Sequence, residues 1–68
     1  MTTDLFGPRV YSLEDQIACL QREIAMRQRV YARLVGEKKM TQQKSDDEIG
    51  AMTAALRTLT SLKENPNA

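Results

Sequence analysis

Basic side chains are concentrated in one part of this 68-residue chain. From position 22 to position 44 the only acidic residues are Glu23 and Glu37, whereas arginine and lysine recur throughout. Four residues follow spacings of four, three and four, which place them along one side of a helix. We call them the basic stripe: Arg22, Met26, Arg29 and Arg33. Such guanidinium groups can bind carboxylates of a protein, bind phosphates, or remain solvated.

Catalytic chemistry finds little support in the sequence. There is no histidine, so a nucleophile such as Cys19 or Ser45 lacks its usual general base. Cys19 is the single cysteine, which excludes an internal disulfide and any cluster of thiolate metal ligands. We therefore expect a non-enzymatic protein with no metal and no cofactor.

Apolar residues recur at spacings of three and four in two segments, as in helices that pack through a heptad seam. The first series is Leu13, Ile17, Leu20, Ile24, Tyr31 and Leu34, and the second is Ile49, Met52, Leu56 and Leu59. A short polar stretch separates them. The pattern predicts an all-α fold, a two-helix antiparallel hairpin over residues 12–62.

Capping residues suggest where each helix begins and ends. Ser12 followed by Asp15 predicts the first start, and Thr41 predicts the second, with Ser45 as a later alternative. Gly36 is the expected left-handed residue that stops the first helix. The predicted division is an irregular N-terminal arm over 1–11, helices over about 13–35 and 42–62, a loop over 36–41, and a flexible tail over 63–68.

A chain of this size struggles to build a self-sufficient core, and two helices alone cannot cover their own seam. With disulfides and metals excluded, self-association remains. We expect a homodimer that forms a four-helix bundle. The expected seam residues are Ile17, Leu20, Ile24, Met52, Leu56 and Leu59. A packing reason is also expected for Gly50, which costs about 1 kcal/mol of helix propensity relative to alanine.

Two features have more than one interpretation. Arg27 occupies the one gap in the first apolar series. It can lie at the seam edge and pair with Glu23 or Glu48, set the register of a dimer, or contact a target carboxylate. The arm carries Leu5, Phe6, Val10 and Tyr11, so it is either a frayed leader or a segment that packs on a neighbouring helix or partner.

The N-terminus lacks the basic region and apolar core of a signal peptide. No apolar run approaches the ~20 residues that a membrane span requires. We expect a cytoplasmic protein without membrane contact.

Residues 23–52 contain a pattern that resembles a family of small helical proteins encoded by bacteriophages and prophages. The matching positions are Glu23, Ile24, Met26, Arg27, Val30, Tyr31, Met40, Thr41, Asp46, Glu48, Ile49 and Met52. The sequence departs from the family at Ala32, Leu34 and Lys38. A phage anti-activator that sequesters a host quorum-sensing regulator has similar size and plan, and is a further relative that the resemblance suggests.

The resemblance implies a protein that binds and inhibits, or redirects, a host protein such as a transcriptional regulator or defence component. The expected partner-binding residues are Arg22, Met26, Arg29, Tyr31 and Arg33, with the arm as a second patch. The alternative is a small nucleic-acid-binding or transcription-modulating protein that uses Arg22, Arg29, Arg33, Lys38 and Lys39. Net charge of +1 and the lack of aromatic residues on that side favour the protein partner. A structural component of a phage assembly is a third interpretation.

Overall fold

A computed structural model describes residues 10–65 of the chain and confirms the predicted helical hairpin. Helix α1 spans Leu13–Gly36 and helix α2 spans Gln42–Glu64, and the two pack against each other. The described residues contain no strand. Most of the predicted arm, including Leu5 and Phe6, and the end of the predicted tail, 66–68, lie outside the described residues.

Both predicted helix starts are confirmed. The Ser12 hydroxyl accepts a hydrogen bond from the backbone N–H of Asp15 at 3.0 Å. The Thr41 hydroxyl accepts one from the N–H of Lys44, also at 3.0 Å. Each cap satisfies an N–H group that has no partner inside the helix, and typically stabilises a helix by about 1 kcal/mol.

The prediction that Gly36 is the left-handed stop of α1 is wrong. Gly36 is the last residue of the helix, and Lys38 adopts the positive φ of 62°. The N–H of Lys39 donates to the carbonyl of Leu34 at 2.8 Å, and the N–H of Lys38 donates to that of Val35 at 3.0 Å. This pair of bonds defines a Schellman motif, in which the left-handed residue follows the helix by two positions.

Helix α2 begins where predicted and ends later than predicted. Its first turn contains no acidic residue, because Asp46, Asp47 and Glu48 lie one turn further along. Two of these acids instead interact with residues one turn before them: Asp46 accepts from Gln42 at 2.9 Å, and Glu48 lies 3.3 Å from the ammonium of Lys44. At the other end the helix continues to Glu64, two residues beyond the predicted boundary.

The hairpin buries few of its apolar side chains completely. Among the described residues only Ile24 and Ser45 are buried, each 8% exposed. The other predicted seam residues, Ile17, Leu20, Met52, Leu56 and Leu59, are half-buried. The two helices therefore meet along the predicted seam and leave most of it partly open to solvent.

Gly50 shows no packing reason within a single chain. It is exposed, and a Cβ atom built at this position meets nothing within 4 Å. The expected close approach of another helix at Gly50 is not made by α1.

Candidate interaction surfaces

The hairpin has two broad faces, one on each side of the line that joins the helix axes. At 100° per residue, one face carries a row of half-buried residues from each helix. We call it the open face; its central residues are Leu20, Glu23, Arg27, Val30 and Leu34 of α1 and Glu48, Met52 and Leu59 of α2. The opposite side is a shallow groove, which we call the groove face. It is lined by Gln28, Ala32, Val35, Gln42, Ser45, Asp46, Ile49, Gly50, Thr53 and Arg57.

The basic stripe lies on a third surface, the side of α1 that faces away from α2. Arg22, Met26, Arg29 and Arg33 are all exposed, and Met26 is 39% exposed between the arginines. Within residues 10–65 none of these three arginines has a carboxylate within 4.0 Å. Arg27, Lys39 and Lys44, in contrast, each pair with a glutamate one turn or two residues away.

Arg27 is the centre of a small polar cluster on the open face. Its Nη1 donates to the hydroxyl of Tyr31 at 3.1 Å, and its Nε lies 3.4 Å from Oε1 of Glu23. The Nε contact has the distance of an ion pair but not the geometry of a hydrogen bond. This N–H is also shielded from solvent, and it has no hydrogen-bond acceptor within the described chain. The hydrogen bond to Tyr31, with further electrostatic attraction from Tyr31 and Glu23, outweighs desolvation and raises the pKa of Arg27, which stays charged.

Tyr31 does not share a surface with the other predicted partner-binding residues. It lies half-buried on the seam side of α1, where its hydroxyl is held by Arg27. Arg22, Met26, Arg29 and Arg33 remain together on the outer side. The structure therefore separates the predicted site into a basic stripe and a residue on the seam side of α1.

Of the two arm residues that the structure describes, Val10 and Tyr11, only Tyr11 lies against the hairpin. Val10 is 95% exposed, whereas Tyr11, which is half exposed, lines a groove with Cys19, Leu20 and Leu59. The Tyr11 carbonyl accepts a hydrogen bond from the side chain of Gln16 at 2.9 Å. Tyr11 is thus the part of the arm that continues the apolar surface at the free end of the hairpin.

Sequence reasoning did not recognise that Glu23 and Val30 share the open face with the seam residues. Their signal is a second series at spacings of three and four along α1, offset from the seam: Gln16, Leu20, Glu23, Arg27, Val30 and Leu34. The two polar members in its middle obscured it as an apolar pattern.

Within residues 10–65 no group of three or more potential ligands could hold a metal ion, and no helix has the length and apolar character needed to cross a bilayer. In comparisons with known proteins, no family model, curated protein or solved structure matches this chain. Its surfaces are therefore the basis for a functional proposal.

Proposed function

We propose that this chain is a non-enzymatic protein-interaction module that homodimerises and binds a host protein, which it inhibits or redirects. The resemblance of residues 23–52 to phage-encoded helical proteins supports the setting, a phage protein acting in the cytoplasm of its host. A transcriptional regulator or a defence component is the kind of target that this setting suggests.

The basic stripe is the observation that carries the proposal. Its three guanidinium groups have no intramolecular acidic partner in residues 10–65, so all their donors are available to an external carboxylate. Arginine binds carboxylates in a planar, bidentate geometry that lysine cannot match. The exposed Met26 at the centre supplies an adaptable apolar contact, which suits binding to a protein surface.

Self-association is the second part of the proposal, and the half-buried seam supports it. Ile24 is the only buried apolar residue of the described chain, which is little for a fold that must offset the entropy of ordering two long helices. A second copy would cover the remaining apolar surface and leave the basic stripe free.

The same stripe also favours one alternative, binding of nucleic acid through phosphates. Arg22, Arg29 and Arg33 would contact the backbone, with Lys38 and Lys39 beyond the end of α1. Lys39 already lies 3.5 Å from Glu37, and no aromatic side chain accompanies the arginines. These features make the protein partner the better supported of the two.

The test is an affinity pull-down from nuclease-treated bacterial lysate, with the eluate identified by mass spectrometry. The variant with Arg29→Glu and Arg33→Glu should lose the retained protein. Arg57→Glu is the matched control, because Arg57 is also exposed and has no carboxylate within 4.0 Å in the described chain, yet it lies on α2.

A single protein retained by the parent chain and by Arg57→Glu, and lost from the double variant, supports the proposal. An empty eluate that is replaced by nucleic acid when nuclease is omitted contradicts it and selects the alternative. In that case the affinity should fall steeply as salt is raised.

A further inference from the structure

The open face has the area that a stable dimer requires. Helix α1 has 24 residues and α2 has 23, so each is about 35 Å long at about 1.5 Å per residue. Two helices about 9 Å apart present a face close to 18 Å wide. A second copy on this face would cover about 600 Å² on each chain, or about 1,200 Å² in total, at the lower end of standard stable interfaces.

Charge distinguishes the open face from the basic stripe as a site for a second copy. The stripe carries only positive charge, so two stripes repel each other. On the open face Glu23 and Arg27 cancel, as do Lys44 and Glu48, each pair already in contact. A symmetric interface joins the same patch of both subunits, so it needs a surface that is complementary to itself.

The order of the charges along α1 is complementary to itself when one helix is reversed. Glu23 precedes Arg27 by one turn. Suppose that two copies of α1 pack antiparallel about a twofold axis that crosses them at the level of Ala25. The partner's Glu23 then lies opposite Arg27, and the partner's Arg27 lies opposite Glu23. The helix itself spans Leu13–Gly36, so its centre falls between Ile24 and Ala25.

The centre of α1 and the centre of its charge pair therefore coincide to within one residue. The same axis places Leu20 opposite the partner's Val30, and Gln16 opposite the partner's Leu34. One register therefore gives the largest overlap of the two helices, contact between half-buried apolar residues, and pairing of opposite charges.

The side chains of Arg27 and Glu23 remain accessible for this contact, although Nε of Arg27 is already covered by atoms of its own chain. The two side chains are each 42% exposed, so both can reach across an interface.

We propose that a second copy docks on the open face with the two α1 helices antiparallel, and that Glu23 and Arg27 of each copy pair with Arg27 and Glu23 of the other and fix the register. This arrangement, which rests on the homodimer proposed above, leaves both basic stripes on the outside of the bundle. Because α1 then lies on the partner's α1, one dimer presents both stripes along the same edge of the bundle.

The test uses two charge variants, Glu23→Arg and Arg27→Glu, alone and mixed. Alone, each variant places four like charges around the twofold axis, and its dimer should be weaker on the order of ten- to hundredfold. In an equimolar mixture one chain supplies only positive charges and the other only negative ones. Native mass spectrometry should then show mainly the heterodimer.

Charge interactions within one helix cannot produce this preference. The like charges of each variant repel each other equally in the homodimer and in the heterodimer. A heterodimer at the statistical share of about one half would overturn the proposed pairing while the homodimer stands. A parent chain that stays monomeric would overturn the homodimer as well. Arg29→Glu, on the outer side of α1, is the control and should dimerise like the parent.

Spin labels measure the arrangement without altering the charge cluster. In a chain with Cys19→Ser and Glu14→Cys, the labelled positions lie 11 residues before the proposed axis. Antiparallel α1 helices should place the two labels about 35 Å apart, at about 1.5 Å per residue. If α1 instead packs on α2 of the partner, the two positions lie at one height and about 15 Å apart, which would overturn the arrangement.

Discussion

The two broad faces of the hairpin differ in what they offer a second helix layer. The open face carries large half-buried side chains, including Val30 and Leu34, and a neutral pair of charges at its centre. The groove face has only two large apolar side chains, Val35 and Ile49, among small and polar residues such as Ala32 and Gly50. Both faces flank the same seam, so the same two helices produce two surfaces of different character.

This difference underlies the proposal that a second copy covers one particular face of the hairpin. More of the large, partly exposed apolar side chains lie on the open face than on the groove face. A partner on the open face would gain more apolar burial than one on the groove face. Both would desolvate polar groups, but on the open face the charges of Glu23 and Arg27 are already paired.

Ile24 lies between the two faces and should show the largest effect. Ile24→Ala removes a buried side chain and leaves a cavity, which should lower the free energy of unfolding by about 2–5 kcal/mol. Denaturant unfolding at one fixed chain concentration measures the change. Met26→Ala on the exposed stripe is the control, with an expected change below about 0.5 kcal/mol. Equal losses at both positions would mean that the seam is not the core.

A charged residue introduced on one face or the other should show directly which face forms the dimer. Val30→Glu buries an unpaired carboxylate against the partner's Leu20 and should weaken dimerisation on the order of tenfold or more. Ala32→Glu makes the matching change on the groove face of the same helix and should leave the dimer intact. Sedimentation equilibrium of both variants gives the two dissociation constants. The reverse result would move the dimer to the groove face.

Gly50→Ala tests the groove face with a single methyl group. A Cβ atom at this position meets nothing within 4 Å, and alanine gains about 1 kcal/mol of helix propensity over glycine. Thermal unfolding should therefore show a more stable protein. A loss of stability would indicate that another helix packs closely on Gly50, as the sequence alone suggested, and would place the second copy on the groove face.

The smallest effect is expected in the loop, which belongs to neither face. Lys38 adopts a left-handed backbone conformation that favours glycine. Lys38→Gly should raise the free energy of unfolding by about 0.5 kcal/mol and leave the dimerisation constant unchanged. A change in dimerisation would show that the loop takes part in the interface.

The helices and their starts could be predicted because they depend on local chemistry. Ser12 and Thr41 each bond an N–H three residues ahead, and these contacts need no information from the rest of the fold. The end of α1 was misplaced because the prediction relied on the conformational preference of one residue, Gly36. Glycine favours a left-handed stop, but the backbone bonds that close α1 place that conformation at Lys38, and Gly36 stays helical.

The surfaces were predicted only in part. The basic stripe followed from spacing, and the pairing of Arg27 with Glu23 was one of the interpretations considered. The bond from Arg27 to Tyr31 was not predicted, although the two are one turn apart, because Tyr31 was assigned to partner binding. The distinction between the two faces depends on which side of the seam each half-buried residue occupies, and only the packed hairpin provides it.

The central claim is that the hairpin is incomplete until a second copy covers its open face. Sedimentation equilibrium combined with circular dichroism over a dilution series tests it most directly. We predict a mass of 15.4 kDa, twice the 7.7 kDa of one chain, and a loss of helix as the dimer dissociates. A chain that remains at 7.7 kDa at every concentration, with full helix content and cooperative unfolding, would contradict the account.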